Sequence, residues 1–127
     1  MLVVTFAEFT ERKNQMPGKK KPIVVSVINM KGGVGKSTIS ALLCRYGFTV
    51  KDLDILAIDL DPQANLSQAF MRNKYKDFLR NHEPSIVELF NGYFPPSKSK
   101  QSPSTINRDM LTQQILSYEN HSLELIP

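Results

Sequence analysis

The chain has 127 residues, 41% apolar and 22% charged, with a formal net charge of +4. That length suits one small domain, and that apolar share is near that of ordinary soluble proteins, so most of the chain should fold. No run reaches the roughly 18 apolar residues of a membrane span, and the apolar start Met1–Phe9 has neither a basic region before it nor a small-residue cleavage site after it, which argues against a secretory signal.

Residues 1–21 read as a flexible leader, punctuated by Pro17 and Gly18 and ending in Lys19, Lys20 and Lys21. Ile23–Ile28 is a β-branched run with almost no polar break, the pattern of a strand buried on both faces of a parallel sheet. A glycine-rich loop follows at once. From Ser37 to about Phe48, Ile39, Leu42, Leu43 and Tyr46 recur at helical spacing, with Gly47 near the end. Cys44 falls in this helix. It has no second cysteine to pair with, its isolation suits neither zinc nor an iron–sulfur cluster, and it reads as a small, half-buried residue. Ile55–Ile58 is a second buried strand, closed by Asp59-Leu-Asp61-Pro62. Strand, helix and strand in this order predict a βαβ unit with parallel strands.

Leu66–Leu79 is expected as a helix, with Leu66, Phe70 and Phe78 as its apolar points. Lys74, Tyr75 and Lys76 mix basic and aromatic character, as nucleic-acid surfaces do, but an ordinary amphipathic face accounts for them. His82 and His121 are isolated and read as surface residues. Ser85 is a helix cap candidate with Glu88 three residues on. Residues 94–105 form a polar, proline-rich loop. Arg108–Tyr118 is expected as a last helix and Ser122–Pro127 as a third strand.

The chemistry lies in the loop. Gly32, Gly33 and Gly35 let backbone N–H groups converge on an anion with no side chain in the way, and the helix behind them aims its positive end at the same point. Lys36 adds charge for the β- and γ-phosphates, and the Ser37 hydroxyl can ligate Mg²⁺. The cradle is thus Lys31, Gly32, Gly33, Val34, Gly35, Lys36, Ser37 and Thr38, with ATP and Mg²⁺ as expected ligands. The generic P-loop pattern asks for glycine six residues before the lysine; Met30 stands there, and a second lysine, Lys31, opens the loop. Asp59 and Asp61 sit at a strand C-terminus, where ligands bind in open α/β sheets.

Asn29-Met-Lys-Gly-Gly-Val-Gly-Lys-Ser-Thr38 resembles the deviant Walker A loop of the ParA/MinD family of ATPases, and Asp59-Leu-Asp-Pro-Gln-Ala-Asn-Leu-Ser67 resembles the ParA segment after the second strand. The resemblance is strong over residues 22–70 and weaker over 80–127. It implies a three-layer α/β P-loop fold with a parallel sheet, of which residues 22–127 form the N-terminal portion; the Walker B strand, the adenine-binding region and the family's DNA-binding surface would lie further on. It implies that Lys31 reaches across an ATP-bound homodimer to the partner's nucleotide, that Asp61 orients the attacking water, and that Asp59 stands near the Mg²⁺ shell through water. Asn65 and Ser67 fall in the family's first switch region. The implied setting is cytoplasmic plasmid or chromosome partition or cargo positioning, with non-specific DNA and a centromere-binding adaptor as partners and no membrane signal in this chain. Two alternatives stay open: a nucleotide-binding module without turnover, or another superfamily member, such as a nitrogenase-reductase-like electron carrier or a cobyrinate-synthase-like ligase. The electron carrier would need cluster cysteines beyond Cys44.

Overall fold

The computed structural model describes residues 2–7, 22–29, 31–92 and 108–127. The fold is α/β, built on a five-stranded sheet of order β2-β1-β3-β5-β4. The strands are β1 (Leu2–Ala7), β2 (Ile23–Val27), β3 (Asp54–Asp59), β4 (Gln113–Tyr118) and β5 (His121–Ile126). The helices are α1 (Lys36–Lys51), α2 (Asn65–Met71), α3 (Lys74–Arg80), α4 (Ile86–Gly92) and the single turn α5 (Arg108–Leu111).

The sheet contains the expected parallel pairing but is mixed, with antiparallel strands as well. Residues 2–7, assigned from sequence to a leader, form β1, which pairs antiparallel with both β2 and β3. The remainder of that leader, residues 8–21, lies outside the described residues, as do Met30 and the proline-rich segment 94–105. Because β1 opposes both neighbours, β2 and β3 run in the same direction, as a βαβ crossover requires, but they are one strand apart. The parallel pair is β3 with β5, which sets Ile55 beside Leu123 and Ala57 beside Leu125.

β2 is consequently an edge strand. Ile23 and Val24 are 64% and 60% exposed, not buried on both faces. An apolar β-branched run reports that a residue can be buried, whereas its place in the sheet order decides whether it is. Helix α1 shows a similar inversion. Ile39, Leu42, Leu43 and Tyr46, whose spacing predicted the helix, are on its exposed side. The sheet is met instead by Ser40, Cys44 and Gly47, small residues that let the helix axis come close, and by Phe48.

The main core lies between this small-residue face and the strands. Cys44 and Phe48 pack with Ile55, Ala57, Leu66, Met71, Phe78, Leu123 and Leu125. Strand alternation puts Leu123 and Leu125 on one face and Glu124 and Ile126 on the other. On that second face Arg108 of α5 pairs with Glu124 at 2.6 Å, so helical residues reach both faces of the sheet.

Three local expectations are revised. The helix expected over Leu66–Leu79 is two helices, because Arg72 leaves helical geometry at φ 51° and ψ −122°. The helix expected over Arg108–Tyr118 stops at Leu111, and Gln113–Tyr118 pairs antiparallel with β5; tertiary pairing outweighs local propensity there. His121 is not a surface residue: its side chain is 10% exposed, and its ring lies 4.5 Å from Phe48 and 5.9 Å from Tyr118. His82 is exposed as expected, and Tyr75 is half-buried, stacking on Phe78, between exposed Lys74 and Lys76. The Ser85 cap forms: the Val87 N–H donates to Ser85 Oγ at 3.3 Å, and the Ser85 N–H and hydroxyl donate to Glu88 Oε2 at 2.6 and 3.0 Å, the last two holding the Glu88 carboxyl below its usual pKa.

Cys44 is fully buried rather than half-buried, and burial pushes its thiol from 9.0 up to about 12. The neutral thiol is the form the fold favours, so its contribution to stability is intact below pH 9 and is lost as pH rises from there towards 12. Since the thiolate is the nucleophile, iodoacetamide at pH 8 should modify Cys44 at least ~100-fold more slowly in the native protein than in urea, where the thiol regains an ordinary pKa and access. Equal rates, followed by mass spectrometry, would contradict the buried placement.

Candidate functional site

The glycine-rich loop spans residues 31–35 and leads from β2 into α1. Gly33 and Gly35 have φ of 73° and 83°, left-handed values that a side-chain-bearing residue adopts only with strain. Gly35 caps α1 with no side-chain hydrogen bond, so the first-turn N–H groups, which have no intrahelical acceptors, are available to an anion. A Cβ at Gly32, Gly33 or Gly35 would meet open space within 4 Å; the glycines are there for backbone shape and anion approach, not for packing.

The loop is braced from within. The Lys31 N–H donates to Asn29 Oδ1 at 2.8 Å, Lys36 Nζ donates to the Lys31 carbonyl at 3.4 Å, and Ser40 Oγ donates to the Lys36 carbonyl at 2.8 Å. The Lys36 ammonium is thereby held over the loop, and Ser37 is half-buried in the first turn of α1.

Gly32–Thr38 form one wall of a cavity of about 930 Å³, and Asp61, Gln63 and Asn65 form part of the other. Its size is in the range of small-molecule and cofactor sites. Of the residues expected from sequence, the cavity brings together Gly32, Gly33, Val34, Gly35, Lys36, Ser37, Thr38 and Asp61. Lys31 and Asp59 do not line it. Lys31 is exposed at the loop's start. Asp59 is buried at the end of β3, where Oδ2 accepts from the Ser67 N–H (2.9 Å) and hydroxyl (2.7 Å) and Oδ1 from the Asp61 N–H (3.2 Å).

Sequence reasoning gave no role to Asn29, Gln63, Arg45 or Phe70, all of which line the cavity. Asn29 carried a readable signal, an Asx side chain two residues before the N–H that it accepts. Arg45 and Phe70 carried none, since their placement depends on how α1 packs beside α2.

Among the described residues, no group of three or more His, Cys, Asp or Glu side chains could hold a metal ion unaided. That donor set fits Mg²⁺ supplied with its nucleotide, since Mg²⁺ usually takes one or two protein groups together with substrate phosphates and waters. Ser37 is the loop residue whose hydroxyl would hold it. Asp59 Oδ1, with one protein donor, keeps lone-pair capacity for a bridging water. No helix among the described residues is long and apolar enough to cross a membrane.

A glycine loop of left-handed residues, an uncapped helix N-terminus, a lysine over the loop and a carboxylate opposite define a phosphate-binding P-loop site. Residues 25–125 match the CobQ/CobB/MinD/ParA nucleotide-binding domain, and the chain belongs to that family. It is 48% identical over 56 residues to an uncharacterised protein of Methanocaldococcus jannaschii, a match covering 44% of this chain and 21% of that protein. It is also similar to two proteins named "Putative replication protein A". The one from Rhizobium rhizogenes is 53% identical over 47 residues, covering 37% of this chain and 11% of that protein. The one from Sinorhizobium fredii is 43% identical over 61 residues, covering 46% and 15%. The matched segment thus spans about a fifth or less of the length of these curated relatives. No solved structure matches the chain.

Proposed function

We propose that this nucleotide-binding domain takes ATP with Mg²⁺ and that two copies close on nucleotide and hydrolyse it. The observation that carries the reading is the cavity in which the glycine loop and Lys36 face Asp61 across open space. Phosphoryl transfer asks of a protein mainly positioning and positive charge at the γ-phosphate. Here Gly32–Thr38 would hold the phosphates, Ser37 and, through water, Asp59 would hold the Mg²⁺, and Asp61 would orient the attacking water. Mg²⁺, when bound, neutralises charge on the phosphates. Lys31 is exposed and outside its own cavity, which supports a role on the partner's nucleotide in a homodimer.

The biological task we favour is plasmid or chromosome partition, or a related positioning of cargo, in the cytoplasm. Two relatives carry replication names, which supports a DNA-linked role, with non-specific DNA and a centromere-binding adaptor as its partners. A single copy is expected to bind nucleotide and turn it over slowly, because turnover needs the Lys31 of a docked partner.

Phosphate release tests the roles. Lys31→Ala and Asp61→Ala should each bind Mg–ATP and each lose at least ~90% of turnover, in line with the cost of removing one positioned group. An equimolar mixture of the two should recover part of the rate, since one mixed-dimer site pairs an intact Lys31 with an intact Asp61. Wild-type turnover in both single variants would overturn the assignments. Parallel titrations with Mg–ATP and Mg–GTP, with and without EDTA, decide base preference and metal dependence; tighter binding of GTP would overturn the choice of ATP.

A further inference from the structure

The alternation along β3 puts Ile55, Ala57 and Asp59 on its buried side. A carboxylate in that row is costly unless fully bonded, and the partners of Asp59 show what it is for. Ser67, also fully buried, gives Oδ2 both its amide and its hydroxyl hydrogen. Oδ1 accepts the Asp61 N–H. One buried carboxylate therefore ties the end of β3, the loop after it and the first turn of α2 across eight residues.

The loop between these ties is itself closed. Asp61 Oδ1 accepts the Gln63 N–H at 3.0 Å, and the Asp61 carbonyl accepts the Ala64 N–H at 2.8 Å. Ala64 has φ 49° and ψ 34°, a left-handed conformation that an alanine keeps only where its surroundings impose it. These bonds leave Asp61 facing Gly32–Thr38 across the cavity.

We infer that Ser67 is a positioning residue for Asp61, acting through Asp59: the Ser67–Asp59 clasp holds residues 60–66 in the shape that presents the Asp61 carboxylate to the terminal phosphate of a bound nucleoside triphosphate. The inference rests on the nucleotide reading above. Ser67 does not line the cavity, so its effect on Asp61 passes through the clasp.

At 14.4 kDa the chain suits amide NMR. Wild type, S67A and S67T are titrated with Mg–ATP and with Mg–ADP. In wild type the Asp61 and Gln63 amides should shift differently with the two nucleotides, which differ only in the γ-phosphate. In S67A that difference should fall at least ~fivefold while the responses of Gly35 and Lys36 stay unchanged, and S67T, which keeps the hydroxyl, should restore it. Without nucleotide, the Asp61 amide should exchange about tenfold faster in S67A than in wild type, as expected for a lost buried hydrogen bond. Unchanged signals from Leu123 and Leu125 confirm that the variant is folded.

A full ATP–ADP difference retained in S67A would overturn the inference and leave Ser67 as packing. So would a wild type in which Gly35 and Lys36 respond but Asp61 and Gln63 do not; the cradle would then stand without the positioning. If Gly35 and Lys36 are silent as well, the nucleotide reading falls and the inference with it.

Discussion

Lys36→Ala is expected to abolish measurable binding of Mg–ATP by isothermal titration. Among the described residues, Lys36 is the one cation lining the loop end of the cavity; the other, Arg45, projects from α1 more than two turns further on. Two unit charges about 4 Å apart interact by about 4 kcal/mol at an effective dielectric of 20, which corresponds to about a thousandfold in affinity. The glycine-loop amides and the N-terminus of α1 remain in the variant, but backbone dipoles without the ammonium leave a strongly charged triphosphate under-neutralised. The folded protein should tolerate the change. The Lys36 ammonium makes one long hydrogen bond to the Lys31 carbonyl at 3.4 Å, so the thermal midpoint should move little. An affinity within threefold of wild type would remove the P-loop assignment, whatever the sequence pattern.

The largest effect on stability is expected at Leu125. It lies on β5, between β3 and β4, is fully buried, and sits beside Ala57 in the parallel register. Leu125→Ala deletes buried carbon and leaves a cavity between rigid strands, a change that costs about 2–5 kcal/mol. With a urea dependence of about 1–3 kcal/mol per molar, the midpoint should fall by about 1 M or more. Leu42→Ala is the matched control. It removes the same atoms from a residue that is 62% exposed, and such surface changes usually lie within about 0.5 kcal/mol. Equal effects of the two substitutions would show that α1 faces the sheet with its Leu42 side, the orientation its hydrophobic spacing alone would predict.

That contrast shows where sequence reasoning runs out. The phosphate cradle was legible because its chemistry is local. Gly32, Gly33, Gly35, Lys36 and Ser37 would act through backbone shape, charge and a hydroxyl close together in the chain, and a strand before and a helix after suffice to orient them. The Ser85–Glu88 cap was legible for the same reason. The β3–β5 strands were readable as dense apolar runs, and the motif around Asp59 and Asp61 supplied the other wall of the cavity.

The remainder depended on contacts between segments far apart in the chain. Residues 2–7 became a central strand, and β2 an edge, through hydrogen bonds between backbones, which any side-chain sequence can make. Gln113–Tyr118 became a strand because β5 offered it a partner, although its own residues accept a helix. α1 turned Ser40, Cys44 and Gly47 inward because close approach to a sheet rewards small side chains, and periodicity counts apolar residues without weighing that. The bond between Asp59 and Ser67 likewise belongs to the tertiary structure. The sequence by itself determined which groups could hold a phosphate; packing alone decided which face each helix buried, which strands became edges, and that a buried carboxylate would brace the loop carrying Asp61, because these outcomes rest on the free energy of pairing and burial between distant segments.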